Sequence, residues 1–275
     1  MTTTTNAHPF DRALRLAHSD LRAGQFSGQT SPDYWNMVGP FGGATAAIVL
    51  QSVLQHPDLL GEPVALTVNF ASAIEAGPFE VLATPVRTNR STQHWTVSIS
   101  QNGEINTTGT VFTALRRETW GAGDLPMPEV PRPSDVERLS IGPQGVAWLS
   151  QYEMRPISGK PPMVWDGGGT HSESRLWLRE SPARPLDFAS LAAMSDMFFP
   201  RVWLRRATRV PAGTVSITTY FHADARVLAQ VGTGYLLGQA KAQQFFNGYF
   251  DQSAHLWSEA GQLLASSNQI VYYKE

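Results

Sequence analysis

The chain has 275 residues, of which 42% are hydrophobic and 16% are charged, and it contains no cysteine. This length predicts two domains of ordinary size. The formal net charge of -2 gives no overall electrostatic reason to bind nucleic acid or an anionic membrane, and the absence of cysteine excludes disulfides, thiolate metal sites and a cysteine nucleophile.

The start of the chain carries no targeting signal that we recognise. Residues 1–8 have neither the positive start nor the apolar stretch of a secretory signal. No run in the sequence approaches the roughly 18 apolar residues that a membrane-spanning helix needs. We therefore expect a soluble, cytoplasmic protein with a frayed tail before Phe10.

The N-terminal half begins with an apolar run over residues 41–54, which predicts a helix. The run has no polar face, which is typical of a helix enclosed by other structure. Strand-like segments follow, with turns at 88–91 and 102–103. These predicted strands cover residues 64–70, 79–87, 92–100 and 111–115.

The first of these strands alternates between apolar and other side chains. Val64, Leu66, Val68 and Phe70 fall on one side, as expected for an antiparallel sheet with one face on the core. The sequence therefore predicts a helix enclosed by a curved meander sheet.

A proline-rich stretch separates the two halves. Pro126, Pro128, Pro131 and Pro133 recur where apolar periodicity is weak, and prolines favour extended chain. We predict an N-terminal domain over residues 1–117, a linker over 118–141 and a C-terminal domain over 142–275.

The C-terminal half repeats the order of elements. An apolar helical run covers residues 186–199, a turn covers 259–261, and strands are predicted at 214–221, 234–242, 245–251 and 263–272. Matching Phe70 to Phe221 gives an offset of 151, and matching Gly103 to Gly261 gives 158. The halves therefore read as an internal duplication. The predicted fold is α+β, with two tandem domains that each wrap an antiparallel sheet around one long central helix.

Four motifs carry a family resemblance. Phe41-Gly42-Gly43 opens the first helix, Ser195-Asp196 lies near the end of the second with Phe199-Pro200 after it, Tyr220-Phe221-His222 ends a strand, and Leu264 to Gln269 lies on the last strand. In this order the sequence resembles the acyl-CoA thioesterase II family and its thioesterase-like relatives, double-hotdog proteins that hydrolyse acyl-CoA.

The resemblance implies a site and a substrate. It places the catalytic Asp, Thr and Gln, which hold and activate the attacking water, on Asp196, Thr214 and Gln269. Gly42 and Gly43 are candidates for the oxyanion or thioester-binding wall, because glycine allows close approach to the backbone and helix N-termini favour negative charge. It also implies acyl-CoA as the substrate, no cofactor or metal, a homo-oligomer and a role in fatty acid metabolism.

The chain departs from the family pattern in two places. Ile270 and Val271 stand where relatives usually show Glu-Gly, and residues 216–219 read Ser-Ile-Thr-Thr where relatives often carry Asp-His. Both changes alter the polarity around the site, so a catalytically weak or inactive thioester-binding protein is one alternative. A hotdog dehydratase or hydratase is another, whereas a serine hydrolase is excluded because no Gly-x-Ser-x-Gly motif is present.

Simpler readings of single residues also stay open. Asp196 could be an exposed helix residue paired with Arg201 or Arg205, and Gln269 could be an exposed strand-end amide. Thr214, Ser216 and Thr218 share a face by the period of two, so a register slip would pass the role to Ser216.

Basic and histidine residues have ordinary explanations too. The arginines at 201, 205, 206 and 209 fit either contact with CoA phosphates or a solvated charge run. His94 and His222 read as strand histidines, because neither has a partner at metal-ligand spacing.

Overall fold

The computed structural model describes residues 7–19, 22–142 and 145–275. The N-terminal half holds helix α1 (Pro9–Ala13), strands β1 (Ala17–His18) and β2 (Gln25–Gln29), helix α2 (Gly42–Leu54), and strands β3 (Glu62–Phe70), β4 (Pro78–Thr88), β5 (Thr92–Gln101) and β6 (Glu104–Ala114). In these described ranges no helix has the length and apolar character needed to cross a membrane.

The C-terminal half holds strands β7 (Tyr152–Ser158) and β8 (Ser174–Glu180), helices α3 (Phe188–Met194) and α4 (Arg201–Arg206), strand β9 (Ala212–Phe221), helix α5 (Ala225–Val231), and strands β10 (Leu236–Lys241), β11 (Phe245–Phe246), β12 (Tyr249–Ser258) and β13 (Leu263–Tyr273). Short 3-10 turns lie at Pro32–Tyr34, Pro133–Asp135 and Ala147–Gln151.

Helix α2 is buried almost all round, as its uniformly apolar sequence predicts. Ala47, Val49, Leu50 and Val53 have no measurable exposure. Helix α3 packs beside α2, and the approach is close: a Cβ on Gly43 would lie 2.4 Å from the carbonyl oxygen of Ala193. The two helices therefore form one central layer inside the sheet.

One continuous antiparallel sheet surrounds this layer. Its strand order is β1-β2-β4-β5-β6-β3-β9-β13-β12-β10-β8-β7, with β11 paired to β12. The halves meet where β3 pairs with β9, and Thr67 lies directly opposite Thr218. Their hydroxyl oxygens are 2.9 Å apart across a sequence separation of 151. Because this is the offset that the duplication predicts, the seam joins equivalent residues of the two halves.

The predicted long second helix is wrong. Helix α3 ends at Met194, the Ser195 hydroxyl donates back to the Leu191 carbonyl, and α4 starts afresh after Pro200. Pro200 has no N–H to donate and disfavours helical geometry in Phe199, which separates the predicted run from α4, but α3 already ends six residues before this proline. Asp196 consequently lies in the turn after α3 and not on a helix.

The predicted strand over residues 245–251 is also wrong. It is a hairpin in which β11 ends at Phe246 and β12 starts at Tyr249. Asn247 and Gly248 between them have φ values of 50° and 78°, the conformation that Asn-Gly adopts in tight hairpins. Strands β1, β2, β7 and β8, helices α1, α4 and α5, and the first part of β6, residues 104–110, were not predicted from the sequence.

The stretch predicted as a linker packs onto the C-terminal sheet. Val136 lies in a buried cluster with Trp177 and Leu237, and the Trp177 indole donates to the Pro131 carbonyl at 2.8 Å. The exact domain limits stay predictions, and residues 143 and 144, at the predicted start of the second domain, lie outside the described residues. The continuous sheet consists of two antiparallel halves, each around a central helix, which join where β3 pairs with β9. This confirms the predicted α+β fold of two tandem hotdog domains.

Candidate active site

A cavity with a volume of about 610 Å³ lies between the two halves. Residues 36–42 and 70–74 line it from the N-terminal half, and residues 198–200 and 212–214 line it from the C-terminal half. Asp196 and Arg209 are the charged side chains among its described lining residues, and aromatic side chains cover much of the rest. Such a mostly apolar cavity with few polar groups is typical of a ligand site.

The structure brings Asp196, Gln269 and Thr214 together in this cavity. The Gln269 amide nitrogen donates to Asp196 Oδ1 at 2.9 Å. The Thr214 hydroxyl donates to Gln269 Oε1 at 3.4 Å. A carboxylate, an amide and a hydroxyl thus form one chain of hydrogen bonds, and all three side chains line the same space.

The Asp196 carboxyl is placed to exchange a proton near neutral pH. Burial raises its pKa from the ordinary 3.8 to about 7, while the hydrogen bonds from Gln269 and from the Gly43 backbone amide act in the opposite direction. Desolvation disfavours the charged carboxylate, so it dominates over the two hydrogen bonds. A carboxyl with a pKa close to the working pH suits general base catalysis.

A β-bulge determines that Thr214 faces the cavity. Ser216 pairs with Ile270 but Thr214 pairs with Val271, which leaves Val215 as the extra, exposed residue. The bulge reverses the side on which Thr214 falls. The expectation that Thr214, Ser216 and Thr218 share a face is therefore wrong: Ser216 lies opposite Ile270, which is 43% exposed on the outer face.

The two glycines at the start of α2 have different surroundings. Gly42 lines the cavity, and a Cβ there would lie 2.6 Å from Asp196 Oδ2. Gly43 lies against α3, and its backbone amide points to the Asp196 carboxylate. The N-cap residue Phe41 provides no side-chain cap, and the Asp196 carboxylate instead takes up the Gly43 amide at this positive end of the helix.

The simpler readings of Asp196 and Gln269 are wrong. Asp196 is half-buried in the cavity, and Gln269 is buried. Arg201 does not pair with Asp196, because its guanidinium is fully buried and donates to the carbonyls of Phe199 and Ser172 and to the Ser174 hydroxyl.

The other arginines of the cluster differ in their surroundings. Arg205 donates to the Gly169 carbonyl, and Arg206 pairs with Glu275 at 2.6 Å. Arg209 is exposed, lines the cavity and has no ion-pair partner in the described part of the chain.

Both histidines considered from the sequence lie in ordinary contacts. His94 packs on Phe112 with ring centroids 4.8 Å apart. The His222 ring is hydrogen-bonded to the Ser266 hydroxyl at 3.0 Å, and burial lowers its pKa. Across the described ranges no three His, Asp or Glu side chains cluster in a way that could hold a metal ion.

Sequence reasoning missed two features of the cavity. Trp148 stacks on Phe41 with ring centroids 4.2 Å apart and an angle of 7°, which supports the start of α2 from the C-terminal half. Gln252 lines the cavity from β12, opposite Gln269. Gln252 could not be identified from the sequence, because only the strand register shows that it lies opposite Gln269.

The fold and the cavity define a double-hotdog protein with a carboxylate, an amide and a hydroxyl in one site. Two family models match the chain: the acyl-CoA thioesterase N-terminal domain over residues 31–115, and the acyl-CoA thioesterase C-terminal domain over residues 125–273. The chain therefore belongs to the acyl-CoA thioesterase family, as the resemblance implied.

Solved structures agree with this fold. A protein of unknown function with a hot dog fold from Alicyclobacillus acidocaldarius is similar over 98% of this chain and 99% of its own, with 46% identity and a TM-score of 0.93. An acyl-CoA thioesterase II, TesB2 from Mycobacterium marinum, is similar over 96% and 98%, with 19% identity and a TM-score of 0.74.

A third solved structure has a different activity in its name. The dehydratase domain of PpsC from Mycobacterium tuberculosis, in complex with C12:1-CoA, is similar over 98% of this chain and 100% of its own, with 14% identity and a TM-score of 0.56. At this identity the likeness shows the fold alone. None of the curated proteins matches this chain.

Proposed function

We propose that this protein hydrolyses acyl-CoA thioesters to a free acid and CoA, using a water molecule held by Asp196, Gln269 and Thr214. The observation that carries the proposal is the chain of hydrogen bonds from Thr214 through Gln269 to Asp196, at 3.4 and 2.9 Å, inside a largely apolar cavity. Membership of the acyl-CoA thioesterase family supports the same reaction.

Each of the three side chains has a distinct task. Gln269 uses its amide nitrogen on Asp196 Oδ1, which leaves Oδ2 of the carboxylate free to accept a proton from water. Thr214 donates its proton to Gln269, so its oxygen retains lone pairs for a hydrogen of the same water. Fixing the water beside a base lowers the entropic part of the barrier.

The reaction then proceeds by addition and elimination. The water oxygen attacks the thioester carbonyl carbon while Asp196 takes a proton from it. The oxyanion collapses, the C–S bond breaks, and Asp196 returns the proton to the sulfur as the thiol leaves. The Gly42 amide, at the start of α2 in the cavity wall, supports the oxyanion.

The dehydratase alternative receives less support from these contacts. That chemistry uses a histidine beside the aspartate as a second proton-transfer group, whereas the side chain bonded to Asp196 is the Gln269 amide. An amide does not exchange protons in the working pH range, so it positions the carboxylate and does not assist it as an acid.

The departures from the family pattern fall unequally on the site. Ile270 is exposed on the outer face of the sheet, whereas Val271 lines the cavity. The change at 270 therefore leaves the cavity untouched, whereas the change at 271 puts a branched apolar side chain in the cavity wall. A cytoplasmic homo-oligomer acting in fatty acid metabolism belongs to the same proposal.

Thiol release from a panel of acyl-CoA substrates of different chain length tests the proposal. We expect release with the native protein and a loss of about 100-fold or more in kcat with Asp196→Asn, while the variant stays folded at the assay pH. Tight acyl-CoA binding without any thiol release would instead indicate the binding protein. Turnover of an enoyl-CoA without thiol release would indicate the dehydratase.

A further inference from the structure

Gln252 is a buried glutamine whose carboxamide has no hydrogen-bond partner among the residues that the structure describes. Its residue is only 3% exposed, yet it lines the cavity. In the described part of the chain, neither its side-chain oxygen nor its nitrogen makes a hydrogen bond. Its side-chain oxygen and nitrogen are not among the fully buried unpaired atoms of these residues, so the carboxamide reaches the cavity surface.

The strand register places the Gln252 side chain beside Gln269 on the cavity face of the sheet. On β12 it lies directly opposite Gln269 of β13, in a regular part of the antiparallel pair. Side chains of directly opposite residues project to the same face, with Cβ atoms about 4.5–5.5 Å apart. Gln252 is therefore the neighbour of the residue that binds Asp196, and both face the cavity.

A second buried glutamine shows what a structural role looks like in this fold. Gln93 has no measurable exposure, and its carboxamide is fully used. It accepts from the Leu60 amide at 2.8 Å and donates to the Asp58 carbonyl at 3.0 Å and the Thr88 hydroxyl at 2.7 Å. Gln252, with none of these bonds, contributes nothing comparable to the folded chain.

We propose that the Gln252 amide donates a hydrogen bond to the thioester carbonyl oxygen of the bound substrate. This inference rests on the proposed hydrolysis and adds a residue to it. When water attacks the carbonyl carbon, the electron pair of the C=O bond moves to that oxygen, and a fixed N–H stabilises the negative charge. The bond strengthens as the charge develops, so it acts mainly on the transition state.

The carboxamide opens onto the cavity, where a substrate carbonyl supplies an acceptor for its N–H. The Gly43 amide already points to the Asp196 carboxylate, so a different N–H group must donate to the oxyanion. Gln252 supplies it from the sheet side, opposite the start of α2.

Gln252→Met tests the inference, because methionine keeps the size of the side chain and removes the donor. We expect kcat to fall about 100-fold or more, as for loss of one oxyanion donor, with KM changed less than about threefold. The melting temperature should stay the same or rise, since no hydrogen bond in the protein is lost. The matched control Gln93→Met should do the opposite: a lower melting temperature and an unchanged kcat.

Two substrates separate a hydrogen bond to the thioester carbonyl from a hydrogen bond to a hydroxyl group on the acyl chain. The loss should be equal for plain acyl-CoA and for 3-hydroxyacyl-CoA, because every thioester has the carbonyl oxygen. A loss confined to the hydroxylated substrate, a change in KM alone, or an unchanged kcat would overturn the role of Gln252. A lowered melting temperature with full activity in the folded fraction would show a structural role and also overturn it. Absence of thiol release from the native protein would instead overturn the proposed function, and the inference with it.

Discussion

Gly42 and Asp196 lie so close together that a methyl group at Gly42 would stand 2.6 Å from Asp196 Oδ2. Gly42→Ala must therefore push the carboxylate away from its place beside Gln269. Misplacement of a reacting group by about 1 Å can cost 100-fold in rate, so we expect a fall of that order in kcat. Gly121→Ala is the matched control, because nothing lies within 4 Å of a Cβ there. An unchanged kcat in Gly42→Ala would place the base elsewhere.

The pH dependence of the rate should follow Asp196. Its pKa is raised to about 7, chiefly by burial, and hydrolysis needs the ionised carboxylate. We expect kcat/KM to rise about tenfold per pH unit below pH 7 and to level off above it. The profile is measured by thiol release at constant ionic strength. A rate that stays flat from pH 5 to pH 8 would exclude Asp196 as the base.

The same carboxyl should lower the stability of the folded protein as the pH rises, whereas it raises the rate. Its pKa is about 7 in the folded protein against an ordinary 3.8, so between these values the folded state holds a proton that the unfolded state has lost. The contribution of Asp196 to stability therefore falls as the pH rises from about 4 to 7. Compared with the native protein, Asp196→Asn should be more stable at pH 8, with little difference near pH 4. Chemical denaturation at both pH values measures this, and equal differences would contradict it.

Thr214 and Ser216 form a matched pair for testing the bulge. Thr214 faces the cavity and bonds Gln269, whereas Ser216 lies on the outer face opposite Ile270. We expect Thr214→Val to lower kcat about tenfold or more and Ser216→Val to leave it unchanged. Thiol release from one acyl-CoA at saturation is sufficient. The reverse pattern would move the hydroxyl role to Ser216.

Arg209 should bind the phosphate groups of CoA. It is an exposed cation that lines the cavity, and no carboxylate pairs with it in the described ranges. We expect Arg209→Ala to raise KM for acyl-CoA about tenfold but not for the corresponding acyl-N-acetylcysteamine, which has no phosphate. Arg90→Ala, an exposed arginine in the turn after β4, should change neither value. Equal effects on both substrates would argue against a phosphate contact.

The first central helix and the strands around it could be predicted because the pattern was strong. The run at 41–54 is apolar on every side, and β3 to β6 follow it with alternating residues and clear turns. The short α3 was harder to predict. Its apolar run continues past Met194, and Pro200 lies six residues further on, so neither hydrophobicity nor proline marks the end of α3 in the sequence.

The site was only partly accessible from the sequence. Asp196, Thr214 and Gln269 came from the resemblance, since nothing local distinguishes them from ordinary turn and strand residues. The face that Thr214 presents depends on the bulge at Val215, and the position of Gln252 depends on its pairing with Gln269. Both are properties of pairing between distant strands, and a single strand read alone does not contain them.

The pairing of Thr67 with Thr218 has a consequence for what each half of the chain contributes to the cavity. Since β3 and β9 are neighbours in one ladder, the copies are fused through backbone hydrogen bonds as well as through the connecting chain. A composite pocket can then be assembled from unlike contributions. One copy presents the opening of a helix and the other presents the acidic, amide and hydroxyl groups. Because both halves belong to one polypeptide, their sequences can differ and each can supply different groups while the two stay paired.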